Sequence, residues 1–205
     1  MVFQSYLYQN RNHYSLQILT IISKSYYSAL KNMEEIINRV AKSPLITFDL
    51  EEYYHQGERV IYDIKQNLFQ EMILKEKDFR AFVKEKDWSE FEGKNVSIIC
   101  SADAIVPTWA YMLLATKLEP FANQLVFGNL ETLENALFQQ ALNKVNLEEF
   151  RDKPMVVKGC GNLPIPTFAY VEITKLLRPI AKSIMYGEPC STVPLYKQPR
   201  AKAIK

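Results

Sequence analysis

Cysteine and histidine are scarce in this chain of 205 residues, which has three Cys and two His. With only His13 and His55, a multi-histidine zinc site is excluded. An odd cysteine count without a convincing secretory signal argues against a disulfide framework and for a reducing compartment, so a cytoplasmic location is expected. Glycine is sparse too, at six residues, and no Gly-x-Gly-x-x-Gly or Gly-x-x-x-x-Gly-Lys-Ser/Thr loop occurs. That removes the common dinucleotide and P-loop signatures. No apolar run approaches the roughly 20 residues of a membrane span. The longest near the start, Leu16 to Ser23, is broken by Gln17 and Thr20, and no membrane partner is expected.

Acids are missing from both ends. None precedes Glu34, and none follows Tyr196, where Lys197, Arg200, Lys202 and Lys205 stand. The net charge is +2, yet between the two ends 18 basic side chains face 23 acidic ones. Nucleic-acid affinity needs clustered Lys and Arg, so an acidic body argues against a nucleic-acid partner. The division expected is a leader over 1–32, a single domain over 33–197 and a basic tail over 198–205. Residues 1–32 are rich in Ser, Asn, Gln and Tyr, whereas Met33-Glu-Glu-Ile-Ile-Asn-Arg-Val-Ala begins an amphipathic helix with acids in its first turn. Met33 is accordingly the expected functional start.

Past Pro44 the pattern alternates. Leu45 to Asp49 and Arg59 to Ile64 read as strands, and Glu76 to Trp88 as a helix. Val96 to Cys100, Gln124 to Gly128 and Met155 to Gly159 read as strands; Pro107 to Leu118, Leu130 to Val145 and Pro166 to about Met185 read as helices. Strand and helix in alternation predict an α/β fold, a three-layer sandwich with a mainly parallel sheet. Two strand-loop-helix units are copies. Pro107-Thr-Trp-Ala-Tyr-Met-Leu-Leu-Ala-Thr-Lys-Leu-Glu-Pro120 aligns without gaps on Pro166-Thr-Phe-Ala-Tyr-Val-Glu-Ile-Thr-Lys-Leu-Leu-Arg-Pro179.

Each copy follows a strand ending near a cysteine, Cys100 or Cys160. In open α/β sheets the carboxyl ends of the strands form the ligand edge. Cys190 follows in Tyr186-Gly-Glu-Pro-Cys-Ser-Thr-Val-Pro194, whose Gly and Pro residues predict an irregular loop able to fold back over that edge. Thiolates brought together there suit an iron-sulfur cluster or another soft metal. A nucleophilic or redox thiol at a helix N-terminus is a second reading. In a third, the cysteines are packing residues of a non-catalytic interaction or scaffold protein. Asp103 is placed to ligate, act as a base or cap a turn; Asn162, Glu188 and His55 are the other accessory candidates.

Asn38-Arg-Val-Ala-Lys-Ser, Leu74-Lys-Glu-Lys-Asp-Phe-Arg, Cys100-Ser-Ala-Asp-Ala-Ile-Val-Pro, Lys158-Gly-Cys-Gly-Asn-Leu-Pro and Lys182-Ser-Ile-Met-Tyr-Gly-Glu-Pro-Cys together resemble an uncharacterised bacterial family, domain-of-unknown-function family 2480. The resemblance spans about Met33 to Lys197. It implies no assigned activity and no residue roles; it does imply iron-sulfur assembly components as neighbours and expected partners.

Overall fold

A computed structural model describes residues 44–159 and 161–199. The expected leader, the helix from Met33, Cys160 and the tail from Arg200 lie outside the described residues. Seven strands and four α-helices follow one another: β1 (Ile46–Asp49), β2 (Arg59–Asp63), α1 (Glu76–Glu85), β3 (Asn95–Ile99), α2 (Thr108–Leu118), β4 (Gln124–Phe127), α3 (Leu130–Leu142), β5 (Pro154–Lys158), α4 (Thr167–Leu177), β6 (Ser183–Glu188) and β7 (Ser191–Lys197). The fold is α/β, with mostly parallel strands and helices layered against them, as the alternation implied. The strands are divided between two sheets, ordered β2-β3-β4 and β1-β5-β6-β7. Among these seven strands only the β6/β7 pairing is antiparallel.

The copied segments build α2 and α4, each behind a parallel strand. Pro107 and Pro166 are the N-caps; proline at the start of a helix loses no intrahelical bond. The equivalence continues beyond the helices at the same spacing of 59 residues: β3 answers to β5 and β4 to β6. The first strands complete it. In one sheet Asp63 stands opposite Ile99, and in the other Asp49 stands opposite Lys158, its counterpart. Each Asp accepts a hydrogen bond from the N–H two residues on, starting a 3-10 turn, and each is followed by a fully buried residue, Leu50 or Ile64. Two consecutive strands, β1 and β2, are thus dealt to different sheets.

Each sheet packs an apolar face against helices. Tyr62, Val96 and Ile98 pack with Phe79 and Val83 of α1 and with Ala110, Leu114 and Leu118 of α2. Phe48, Met155, Val157 and Ile184 pack with Ala169, Ile173 and Leu177 of α4 and with Phe138 and Leu142 of α3. Helix α3 crosses between the halves: it touches β3 and β4 on one side and α4 on the other. Arg59 of β2 clamps it through Glu134, at 2.6 and 3.1 Å.

The structure corrects the end of the chain. The helix expected to run from Pro166 to Met185 stops at Leu177, and residues from Ser183 onward form β6. The irregular loop expected around Cys190 is a hairpin turn joining β6 to β7, with Pro194 inside β7. Pro179 ends the helix as Pro120 ends α2 in the sister copy. The turn depends on Gly187: its φ is +115°, and a Cβ there would meet the Ser191 carbonyl oxygen at 2.7 Å.

Candidate functional site

The carboxyl edge of the three-stranded sheet gathers Asp63 from β2, Cys100 and Ser101 from the end of β3, Tyr111 from α2 and Phe127 from β4. Asp63 staples this edge. Its Oδ1 accepts from the N–H of Lys65 and of Ser101, both at 3.0 Å, and its Oδ2 from the Ser101 hydroxyl. Burial alone would raise the Asp63 carboxyl. The Ser101 hydroxyl, the two backbone N–H groups and the nearby Lys65 outweigh it and hold the group below its ordinary value. A carboxyl depressed in the folded state contributes stability above its unfolded value, near pH 4, that is lost as pH falls through the folded value. Asp63→Asn should therefore lower stability at pH 7 and flatten its decline below pH 4, read from urea midpoints against pH. An unchanged acid slope would show that the staple contributes nothing.

Cys100 is half-buried on this edge, its thiol donating to the Ala102 carbonyl at 3.5 Å. Tyr111 interacts with its sulfur; burial first, then Cys100 and then Asp63 push the Tyr111 phenol above its ordinary value, so it stays protonated. The Tyr111 ring meets the Phe127 ring edge-to-face, centroids 5.0 Å apart. Phe127 is 67% exposed and Ile105, in the loop before α2, 92% exposed. A cleft of about 480 Å³ is lined by Asp63, Ile61, Leu68 and the paired Lys65 and Glu71.

The sister edge is built alike but carries different chemistry. Gly159 occupies the position of Cys100, and the hydroxyl of Tyr170, the counterpart of Tyr111, lies 2.7 Å from where a Gly159 Cβ would stand. Lys158 ends β5 and pairs with Asp49 at 2.9 Å; that pairing, then Glu188 and Glu51, raises its ammonium above the ordinary value. Glu51 Oε1 is buried without a hydrogen-bond partner, beside Gly161.

The expected cysteine site meets this geometry as follows. Cys100 belongs to the three-stranded sheet, whereas Cys190 is exposed at the β6–β7 turn of the other sheet. Cys160 lies outside the described residues. Among the described residues no group of three His, Cys, Asp or Glu could hold a metal ion. Asp103 is exposed, and no side chain caps α2. Asn162 is exposed, and Glu188 serves Lys158 at the other edge.

His55 is part of a different cluster, at the amino edge of β3. Its Nδ1 accepts from the Gly57 N–H at 3.0 Å and lies 3.1 Å from the amide of buried Asn95; its Nε2 lies 3.2 Å from the amide of Asn123. This knot joins the β1–β2 connection to the sheet. Sequence reasoning read Tyr111 as a core or partner-binding aromatic and missed Asp49 and Asp63, although the aspartates share a signal: each ends a short strand and precedes a large aliphatic residue.

Fold and site together define an α/β protein built from two similar strand-loop-helix units, with Cys100 at a strand edge of the first. A family model described as Protein of unknown function (DUF2480) matches residues 34–198, and the chain belongs to that family. No curated protein and no solved structure matches the chain. No helix among the described residues is long and apolar enough to cross a membrane.

Proposed function

We propose that the chain is a thiol-dependent binding protein, with Cys100 as its functional sulfur and the exposed apolar rim of Phe127 and Ile105 receiving the body of the bound group. The observation that carries this reading is the difference between the two copies. The sister unit makes the same strand and helix with a glycine in place of Cys100 and the counterpart tyrosine beside it, so that strand and helix do not require a thiol at this position. Cys100 packs against the first core and interacts with the Tyr111 hydroxyl, a setting that can serve chemistry as well as packing. The reading needs one sulfur. Cluster or soft-metal binding needs further ligands beside it, and Cys190 stands on the other sheet.

The test is alkylation of the native chain by N-phenylmaleimide, followed at the Cys100 peptide. Phe127→Ala should slow the reaction severalfold, since about 0.8 kcal/mol per buried methylene-sized contact is at stake, while leaving the rate with small iodoacetamide unchanged. Equal effects on both reagents would mean that Phe127 only shapes the loop. No effect on either would overturn the rim.

A further inference from the structure

We propose that the amino edge of the four-stranded sheet, opposite its Lys158 edge, is a binding site for a small anion of the phosphate type. Three neighbouring strands each bring a lysine there. Lys153 precedes β5 and Lys182 precedes β6, in step with one another because Pro154 stands beside Ser183, and Lys197 ends β7 one residue out of step, beside Ser183. Backbone bonds tie these ends together, the Lys182 N–H donating to the Lys153 carbonyl at 3.0 Å and the Gln198 N–H to the Lys182 carbonyl at 2.9 Å.

Adjacent strands lie about 4.8 Å apart, so three ammonium-bearing side chains start within two strand spacings. Like charges directly opposite one another on neighbouring strands destabilise a sheet, which applies to Lys153 and Lys182. Lys65, Lys86, Lys94, Lys158 and Lys175 each meet an acid, whereas other lysines without an ion pair among the described residues, such as Lys77, Lys84, Lys117 and Lys144, line no cavity together. Lys153, Lys182 and Lys197 are exposed, and none has an ion pair among the described residues. They border a cavity of about 500 Å³ whose only lining carboxylate among the described residues is Asp152, with Pro44, Ile46 and Pro154 as apolar walls. Three ammonium groups against one carboxylate leave an excess of positive charge facing a concave space. Separate ammonium points suit the spread charge of a phosphate or diphosphate, and the apolar walls suit the organic part of its ester.

The site lies on a different sheet from Cys100 and stands or falls independently of the chemistry proposed there. The test uses the full chain with inorganic pyrophosphate as probe, and the triple variant Lys153→Gln/Lys182→Gln/Lys197→Gln. Without the probe at low salt, the triple variant should melt higher than wild type, because the repulsion is gone. With saturating probe the order should reverse, and calorimetric affinity should be at least about tenfold weaker in the variant. A second arm uses phosphatidylcholine vesicles containing phosphatidic acid. Lysine-dependent binding of pyrophosphate identifies a soluble phosphate ester, and lysine-dependent flotation with the vesicles identifies a lipid headgroup. Either supports phosphate recognition. Equal affinity in wild type and variant, or reproduction of the whole pyrophosphate effect by chloride at the same ionic strength, overturns it.

Discussion

Leu118→Ala is expected to destabilise the protein by about 3 kcal/mol, and Leu177→Ala by a similar amount. The two leucines are counterparts in the duplicated helices and both are fully buried, but they belong to different apolar cores. Each truncation opens a cavity that its neighbours cannot fill, since both helices are pinned between a sheet face and a proline-terminated end. Sites without shared partners add within about 0.5 kcal/mol, so the double variant should lose roughly 6 kcal/mol, a large share of a domain's total stability. Urea titrations of the four proteins check this. A double variant much less damaged than the sum would show that the halves share one core.

Phe138→Ala should cost about 3 to 5 kcal/mol, the range for a buried aromatic. Phe138 is 1% exposed in the second core, its ring 6.3 Å from that of Tyr54. Its neighbours on α3 hold the helix in other ways: Leu133 and Leu137 are buried as well, and Glu134 grips Arg59 of the other sheet. Truncating Phe138 removes the aromatic anchor of the helix that joins both halves. Near-native stability in the variant would mean that Leu133, Leu137 and the Arg59–Glu134 clamp hold α3 without it.

How far the sequence speaks for the fold can be judged from particular elements. The helices at Thr108 and Thr167 were legible because two copies agree and each opens on Pro-Thr-aromatic-Ala-Tyr. Strand β6 was not, because Ser183 to Tyr186 is a short apolar run that suits a helix end as well as a strand. The sister copy held the answer, since Pro120 is followed by β4 just as Pro179 is followed by β6. The dealing of β1 and β2 to different sheets left no local trace, since strand partners lie about 35 to 110 residues away in sequence and are chosen by packing. For the site, the alignment carried back at its own spacing of 59 sets Cys100 against Gly159 and Ser101 against Cys160. Matching cysteine to cysteine instead suggested a shared thiol edge. That Asp63 staples Ser101, and that Phe127 is left exposed over Tyr111, depend on side-chain placement that composition does not encode.

The most direct measurement of the Cys100 reading compares two thiols within one molecule. Native protein is labelled in parallel with N-phenylmaleimide and with iodoacetate, and rates are read peptide by peptide at Cys100 and at Cys190, whose exposed hairpin turn makes it an internal reference. An apolar rim worth about 1.4 kcal/mol predicts a maleimide-to-iodoacetate rate ratio about tenfold higher at Cys100 than at Cys190. The same ratio at both, or labelling of Cys100 only after unfolding, would contradict the account and return Cys100 to the role of a packing residue.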